Sequence, residues 1–341
     1  MPPELVPRNV SFGSSSSEEE SGCVAAAAAA ITATNKAAEA VVIVTPYSTG
    51  CCVAQEIARR GYRLVCLWKR GFSEEMKAHV PVSCGGLSYY AELTEEGTLQ
   101  DTAQAVVEAA DGAPIAAVVC GGEAGVDLAD ALSEEMGLLT NGTDVPNRRD
   151  KKVQQELVGA AGLRSVRQAG GHRLSDVEDF LRTETYPVVV KPVDSAGSDG
   201  VKLCRSYDEA REHFVHLTTD HEMVNGGRCS LALCQEYLQG PEYVVDMVSR
   251  DGLHKAVMVW RYDKRPANGA AFVYFGVLPV DSESPEARLL IPYVRGVLDA
   301  LGMKNGPSHG EVILTPDGPC LVEMNCRYEP RSLTTEWQCG V

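Results

Sequence analysis

The chain contains 341 residues, of which 44% are hydrophobic, and its formal net charge is −16 at pH 7. This length is enough for a substantial core in two domains or in one large composite domain. A surface this acidic repels nucleic-acid phosphates and anionic lipid, and no apolar run approaches the roughly 20 residues of a membrane-spanning helix. We therefore expect neither nucleic acid nor a membrane among its partners.

Residues 1–38 form a segment of low complexity, with runs of serine (14–17), glutamate (18–20) and alanine (25–30). Such runs offer little that packs, so we predict a disordered leader. The basic start and apolar segment of a secretory signal are missing. An organelle-targeting leader is the alternative, and the glutamate run argues against it.

The twelve cysteines are scattered along the chain without a CxxC pair. The spacing of a structural metal site is therefore absent. We interpret them as reduced thiols that act as small buried apolar residues, which indicates a reducing compartment. We expect the protein in the cytoplasm.

Residues 39–140 alternate between apolar strands and amphipathic helices. The β-branched run Ala40–Thr45 is typical of a buried parallel strand, and Gly61 is placed to end the helix that follows. Strand alternating with helix predicts an α/β unit with a parallel, doubly wound sheet. The predicted strands are 40–45, 62–68 and 115–120, and the later predicted helices are 101–111 and 127–136.

Beyond residue 141 the pattern changes to shorter strands around glycine-rich turns. In residues 141–235 we predict helices at 152–161 and 208–216 and strands at 186–191, 201–204 and 231–237. In residues 236–341 we predict strands at 243–249, 255–261 and 270–277, a helix at 285–301, and a hairpin of 310–315 and 320–326. These two segments therefore form a second part of the molecule, which begins near residue 141.

A lysine at the end of an apolar strand is the first candidate for chemistry. Lys191 follows Val188–Val190, so its stem is packed and its ammonium is held in one place. The next loop, which includes Ser195, Ala196, Gly197 and Ser198, is made of small residues whose backbone N–H groups could close over phosphate. A plain hairpin with a flexible loop is the alternative.

Two carboxylates around a Gly-Pro break are the second candidate. Glu236 and Glu242 both lie beside apolar residues of the two predicted strands. A linker between two lobes offers an adenine ring free backbone groups, and a carboxylate a few residues later can accept both ribose hydroxyls. Two solvated carboxylates beside a turn are the alternative.

Polar residues on the final hairpin are the third candidate. Glu323, Asn325 and Arg327 alternate along one strand, so they point to one face, and Glu311 lies on the partner strand. Two carboxylates and an amide oxygen suit Mg²⁺, and an adjacent arginine can brace a phosphoryl group. A half-exposed strand, which alternates in the same way, is the alternative.

Taken in order, these elements resemble the ATP-grasp superfamily, and within it the carboxylate–amine ligases that join amino acids. The resemblance runs from about residue 40 to Arg327 and is most specific at Gly306–Glu311 and Glu323–Arg327. It implies an α/β (α+β) ATP-grasp fold with a pre-ATP-grasp domain at 39–140, a small nucleotide lobe at 141–235 and a central metal-binding lobe at 236–341. It further implies ATP and Mg²⁺ (or Mn²⁺) as cofactors, a small-molecule carboxylate and an amine as substrates, and a homodimer as one assembly state.

The resemblance also assigns nucleotide contacts residue by residue. Lys151 matches the first nucleotide lysine, and Lys191 matches the second, near the α-phosphate. Residues 195–200 match the mobile phosphate lid. Glu242 matches the ribose carboxylate. The adenine contacts would come from the side chain of Glu236 and the backbone of Tyr237 and Leu238.

The remaining assignments concern the metal and the reacting groups. Glu311, Glu323 and Asn325 match the metal ligands. Lys264 resembles a phosphate-facing lysine, and Arg327 matches the arginine that meets the acyl phosphate. His309 either lines the substrate pocket or is a structural histidine.

The chain departs from the family pattern after Arg327. Family members continue for several tens of residues with glycine-rich segments, which residues 328–341 do not resemble. We therefore expect a truncated C-terminal part that affects catalysis more than nucleotide binding. Two other functions stay open at this stage, namely an ATP-binding protein without ligase activity and an ATP-grasp kinase.

The hairpin permits one geometric prediction. A shared metal ion requires Glu311 and Glu323 on the same face, and a two-residue loop at 317–318 would separate them. Pro316 and Pro319 disfavour such a loop, because each lacks a donor. We predict a three-residue loop or a β-bulge between the two carboxylates.

Overall fold

The fold is seen in a computed structural model that describes residues 39–193, 200–221, 229, 231–267 and 270–328, with backbone alone at 266, 267 and 270–272. Within these residues the strands form three sheets. No helix of this part of the chain is both long and apolar enough to cross a membrane. Its ten cysteines are all free and eight are buried, as expected for thiols that serve as core residues.

The first sheet is parallel and doubly wound, as predicted. Its order is β3-β2-β1-β4, and β1 is fully buried because helices cover both faces. Val42 and Val44 pack with Leu132 on one face, whereas Ile43 packs with Ala54 on the other. The strands are β1 (Ala40–Val44), β2 (Arg63–Trp68), β3 (Ala91–Thr94) and β4 (Ile115–Cys120), and the helices are α1 (Gly50–Arg59), α2 (Glu74–Lys77), α3 (Leu99–Ala109) and α4 (Val126–Glu135).

The second sheet is antiparallel, with the order β5-β8-β6-β7. Helices cover one face, where Val188, Val190 and Cys234 pack with Leu181 and Phe214. The other face is left for the site described below. The elements are α5 (Pro146–Arg149), α6 (Lys151–Ala160), β5 (Gln168–Gly171), α7 (Glu178–Thr183), β6 (Val188–Pro192), β7 (Lys202–Cys204), α8 (Tyr207–Thr219) and β8 (Ala232–Glu236).

The third sheet is antiparallel, with the order β11-β10-β9-β12-β13. Helix α9 supplies most of its core, with Leu290, Val294 and Leu298 fully buried. Strands β10 and β11 are longer than predicted. The elements are β9 (Glu242–Arg250), β10 (Leu253–Ala267), β11 (Ala270–Val280), α9 (Pro285–Ala300), β12 (Gly306–Thr315) and β13 (Gly318–Asn325).

Helix α6 packs on the third sheet, although its sequence lies in the segment predicted to be the small lobe. Val158 joins the core of the third sheet. The Gln154 side chain donates to Met324 O at 2.8 Å and accepts from Met324 N at 2.9 Å, and Gln155 donates to Leu321 O at 2.9 Å. The outer strand β13 has no neighbouring strand on one side, and these hydrogen bonds satisfy its backbone groups there. They also fix the first turn of α6 against the strand.

The final hairpin contains the predicted bulge. Thr315 pairs with Gly318, Val312 pairs with Leu321, and Glu311 pairs with Glu323, so Val322 is the extra residue. The bulge moves the register by one residue and puts Glu311 and Glu323 on one face. The loop itself, however, has two residues. Contrary to our prediction, the prolines do not prevent so short a loop, because Pro316 lies inside the turn, where no ladder donor is required.

Candidate functional site

Lys151 and Glu323 join the beginning of α6 to the face of β13. Asp150 caps α6 by accepting from Lys152 N and Val153 N, which orients the first turn. The Lys151 ammonium lies 2.9 Å from Glu323 Oε2. Burial alone would lower the pKa of Lys151, but the Glu323 carboxylate outweighs it and raises the pKa. This ammonium therefore stays charged within the site.

Lys191 lies at the end of β6, where it pairs with Leu233 and is 7% exposed. Burial, and then the nearby charge of Lys151, lower its pKa to about 8. Glu323, Glu311 and Glu242 act in the opposite direction without compensating. In the described part of the chain its ammonium has no ion-pair partner. A buried lysine in this state favours an incoming anion, because the anion restores the charged form.

Glu311, Glu323 and Asn325 face the same side of the hairpin, since His309 and Glu311 pair with Asn325 and Glu323. Asn325 Nδ2 donates to Glu323 Oε1 at 3.2 Å, and Tyr262 donates to Glu311 Oε1 at 3.1 Å. Although burial raises it, the hydrogen bond from His309 and the charge of Lys264 lower the pKa of Glu311 to about 2. The Glu311 carboxylate is therefore available as a hard oxygen donor.

This donor set suits Mg²⁺ or Mn²⁺ that also binds substrate oxygens. It suits less well a metal ion that protein groups alone must hold. Among the described residues no cluster of three or more His, Cys, Asp and Glu side chains could hold an ion. Mg²⁺ commonly takes one or two carboxylates together with substrate phosphate oxygens. The two glutamates and Asn325 match that requirement.

His309 supports Glu311 from behind. It is 1% exposed, its Nδ1 lies 2.8 Å from Asp246 Oδ1, and its Nε2 lies 3.3 Å from the Tyr262 hydroxyl. Trp260 Nε1 donates to Asp246 Oδ2 at 2.7 Å. The structure therefore favours the structural histidine of the two sequence alternatives. Asp246 was missed, although its two-residue spacing from Val244 and Glu242 places it on the Glu311 face.

Glu242 and Lys264 form a partly buried ion pair with 2.5 Å between Oε1 and Nζ. Burial is the largest effect on Glu242 and raises its pKa, against the opposing charge of Lys264. Lys264 Nζ also lies 4.6 Å from the centre of the Tyr262 ring. The pair lies beside Glu311, on the side of the third sheet that carries the other candidates.

Glu236 has a different environment from that expected. Its carboxylate contacts Nη1 of Arg164 and Nη1 of Arg167, each at 2.8 Å, and accepts from Arg167 N at 2.7 Å. Its pairing with Val188, three residues before Lys191, puts these two charged side chains on opposite faces of the sheet. An adenine contact by this carboxylate would compete with both arginines, and it stays a prediction.

Other predicted nucleotide residues lie around the same strand ends. Tyr237 and Leu238 follow β8 and are half-buried. Ser195, Ala196, Gly197 and Ser198 lie outside the described residues, so their role as a phosphate lid stays a prediction. No sequence signal pointed to Arg164 and Arg167, which precede their partner by about seventy residues.

Arg327 follows the end of β13 and turns toward the first sheet. Its Nε donates to Glu123 Oε2 at 3.0 Å, while Arg149 Nε donates to Glu123 Oε1 at 3.1 Å. Glu123 comes after Gly121 and Gly122 at the C-terminal end of β4. A Cβ on Gly121 would lie 2.6 Å from Pro46 Cα, so only glycine permits this close turn. The first sheet therefore contributes to the site through Glu123.

The sequence of this chain is similar to those of known proteins. Residues 184–335 match the family model described as an ATP-grasp domain. Dapdiamide A synthase of Enterobacter agglomerans is 31% identical over 216 residues, which cover 62% of this chain and 50% of that protein. The chain spans about half, or less, of the length of the first curated relatives it matches.

Solved structures agree at the level of the fold. The L-amino acid ligase of Bacillus licheniformis has a TM-score of 0.64 at 18% identity, with 85% of this chain and 67% of that chain covered. N5-carboxyaminoimidazole synthetase of Staphylococcus aureus, complexed with ADP, has a TM-score of 0.63 at 16% identity, with 85% and 71% covered. The three-sheet arrangement is therefore one that other proteins use.

Proposed function

We propose that this chain is an ATP- and Mg²⁺-dependent ligase that joins a carboxylate to an amine. The first ground is that the chain belongs to the ATP-grasp superfamily. One observation carries this proposal. Lys191, which is buried at the end of β6, lies close enough to Glu311 and Glu323 for their charges to act on its ammonium, and these two glutamates share one face of the hairpin. A polyphosphate with a bound divalent cation satisfies both the lysine and the two glutamates.

The nucleotide would lie between the second and third sheets. Lys151, Lys191 and Lys264 would contact its phosphates, covered by the loop that contains residues 195–198. Glu242 would accept the ribose hydroxyls after exchanging its bond to Lys264. The adenine would lie near Glu236, Tyr237 and Leu238. The combined positive charge of the lysines supports this orientation.

Glu311, Glu323 and Asn325 would hold Mg²⁺ or Mn²⁺, which when bound neutralises phosphate charge as ATP reacts. In the structure, the Lys151 ammonium contacts Glu323 and supplies part of the positive charge that the metal ion would bring. Asp246, His309 and Tyr262 keep Glu311 in place. The protein therefore orients its oxygen donors before the nucleotide arrives.

The reaction we propose has two steps. A substrate carboxylate oxygen attacks the γ-phosphorus of ATP, the bond to the bridging oxygen breaks, and ADP leaves. The amine nitrogen then attacks the acyl carbon, loses a proton, and displaces inorganic phosphate. Lys191 and Arg327 would stabilise the transferring group, so the catalysis is mainly positioning and charge neutralisation. The lid would exclude water from the acyl phosphate.

Amino acids, or small molecules like them, are the substrates we propose. The relative from Bacillus licheniformis is named as an L-amino acid ligase, and the relative from Enterobacter agglomerans is named for making dapdiamide A. The test is a screen of paired amino acids for ADP formation. A ligase releases ADP in quantity only when both partners are present. ADP formation that needs only one compound would instead indicate a kinase.

A further inference from the structure

The linker 237–241 joins β8 of the second sheet to β9 of the third. Tyr237 and Leu238 in this linker are half-buried, and within the described part of the chain no hydrogen bond uses the backbone of either residue. Their N–H and C=O groups are therefore available to a ligand. Because the phosphates would lie at the lysines, the base is the part of the nucleotide that reaches the linker.

The linker is fixed to the third sheet at Gly240 and Pro241. Pro241 O accepts from Leu314 N at 3.0 Å. Gly240 has a φ of 151°, and a Cβ at this position would lie 2.1 Å from Leu314 O. Only glycine permits so close an approach to the backbone of β12. This end of the linker therefore follows the hairpin of β12 and β13.

The other end of the linker is fixed at Glu236, which two arginines hold. The Glu236 carboxylate contacts Nη1 of Arg164 and Nη1 of Arg167, each at 2.8 Å. The backbone of Arg167 also takes part, since its N–H donates to Glu236 Oε1 at 2.7 Å and its carbonyl accepts from Glu236 N at 3.0 Å. Pairing with Val188 places Glu236 on the helix-covered face, opposite to Lys191. Its carboxylate can therefore act on a bound base through the backbone of the linker.

Both arginines are fixed by further contacts. Arg167 Nη2 and Nε donate to the Glu184 carboxylate at 2.9 and 3.0 Å, and these hydrogen bonds hold the pKa of Glu184 below its usual range. Arg164 O accepts from the Tyr293 hydroxyl at 2.5 Å, and that hydroxyl accepts from Leu321 N at 2.8 Å. Tyr293 is part of α9 and Leu321 is part of β13. Arg164 thus connects the clamped end of the linker to the third sheet.

This cluster carries no surplus charge. Glu184 and Glu236, whose side chains are 9% and 8% exposed, balance Arg164 and Arg167. The cluster therefore does not require an ionic ligand of its own. Its effect falls on the segment of chain that it holds, which is the linker.

We infer that Arg164 and Arg167 are positioning residues, which hold the linker through Glu236 where its backbone distinguishes adenine from other bases. The inference rests on the proposed function. A backbone C=O of the linker would accept from the 6-amino group of adenine, and a backbone N–H would donate to its N1. Hypoxanthine presents a carbonyl and an N–H at these two positions, so it would set acceptor against acceptor and donor against donor. The preference for adenine then depends on where the linker lies.

The test compares ADP, inosine diphosphate (IDP) and inorganic pyrophosphate, each with Mg²⁺, by calorimetric titration of the intact chain. ADP and IDP share the ribose and the phosphates, so their difference reports on the base alone. We expect ADP to bind at least about tenfold more tightly than IDP, because the wrong base leaves polar groups of the site unpaired. Pyrophosphate reports on the phosphate contacts without the base.

Variants locate the effect. Arg164→Gln should lower the ratio of ADP affinity to IDP affinity at least about threefold, because a charge-assisted contact at the end of the linker is lost. Its affinity for pyrophosphate should change less than about twofold, since separate sites respond independently. Arg164→Lys, which keeps a charge beside Glu236, should restore part of the ratio. Arg182→Gln, which changes an exposed arginine of α7, is the control and should leave the ratio unchanged. If Arg164→Gln lowers the unfolding temperature, Arg167→Gln, which keeps the Arg164 pair, should lower the ratio in the same direction.

The outcomes separate this inference from the proposed function. A ratio that survives in both variants, or that rises because Glu236 is released to contact adenine itself, would overturn the inference. An equal loss of affinity for all three ligands would indicate a loosened fold and would also overturn it. If the original chain binds ADP and IDP alike, the inference fails while the proposed function stands. If it binds neither ADP nor pyrophosphate, the proposed function fails and the inference fails with it.

Discussion

Glu311 and Glu323 lie directly opposite each other on β12 and β13, because the bulge at Val322 shifts their register by one residue. Without that shift, Glu311 would oppose Val322 and the two carboxylates would point to opposite faces. The single extra residue thus creates the face on which we place the metal. Lys151 and Tyr262 hold the two carboxylates from either side.

Lys191→Ala should weaken ATP binding strongly. A buried charge-assisted contact contributes roughly 1.5–3 kcal/mol, so the dissociation constant should rise by a factor of about 10–150. Isothermal calorimetry measures it directly. Lys202→Ala removes an exposed lysine from the neighbouring strand β7 and is the matched control. Unchanged affinity for ATP in the Lys191→Ala variant would show that Lys191 does not contact the nucleotide.

The affinity for ATP should also depend on pH through Lys191. Its pKa is lowered to about 8 in the free protein, and bound phosphate should raise it, so binding takes up a proton above pH 8. The affinity should fall as the pH rises, approaching about tenfold per pH unit well above that pKa. Titrations in buffers of different ionisation enthalpy measure the proton uptake. Lys191→Arg, which keeps its charge, should flatten the dependence.

Lys191 also makes the stability of the fold depend on pH, with the opposite sign from the affinity for ATP. Because the pKa of Lys191 is lower in the folded chain than in the unfolded chain, the unfolded chain binds more protons between about pH 8 and the ordinary lysine pKa. Lys191 therefore contributes a stability that increases with pH across that window. Urea unfolding of the original chain and of Lys191→Met, compared at pH 7 and pH 9.5, measures this contribution. A difference between the two chains that does not change with pH would contradict the assignment.

Glu323→Gln should impair turnover more than nucleotide binding. The change removes an anionic oxygen donor but keeps the contacts proposed for ribose and adenine. Metal stabilisation of phosphoryl transfer amounts to several kcal/mol, so we expect a loss of about 100-fold or more in phosphate release at saturating ATP. Glu156→Gln, at an exposed position of α6, is the control. Retained turnover with the same Mg²⁺ dependence would show that the metal binds at a site without Glu323.

Gln154→Leu should destabilise the fold. The change leaves the backbone N–H and C=O of Met324 without their partners at a buried position, which costs about 1–3 kcal/mol. Chemical denaturation measures the loss. Glu156→Ala, on the exposed side of the same helix, should change the free energy of unfolding by less than about 0.5 kcal/mol. If both variants unfold alike, α6 is not fixed through Gln154.

Local pattern was sufficient to predict much of this molecule. The apolar run of β1, the lysine that ends β6, and the alternation of β13 each depend on neighbouring residues alone. The short strands β3 and β5 were missed, because four residues at a sheet edge carry too little pattern to distinguish them from a loop. The same limit applies to the extensions of β10 and β11.

Long-range partners were not predictable. The apolar face of α6 indicates burial but does not name the third sheet as its partner. The pairing of Glu236 with Arg164 and Arg167 depends on tertiary contact between segments far apart in the chain. Glu123 likewise meets Arg327 only because the first sheet packs against the hairpin end. Sequence indicated which residues are chemically suited, and the fold decided which of them meet.

Transfer of a carboxylate oxygen to phosphate tests the central claim most directly. The intact chain is incubated with ATP, Mg²⁺ and the twenty amino acids, each labelled with ¹⁸O in its carboxylate, and the released phosphate is examined by mass spectrometry. An acyl phosphate that is opened by an amine leaves one labelled oxygen in each phosphate, so we predict singly labelled phosphate. Phosphate released without any label would show that water, and not a carboxylate, attacks ATP, and would contradict the ligase mechanism.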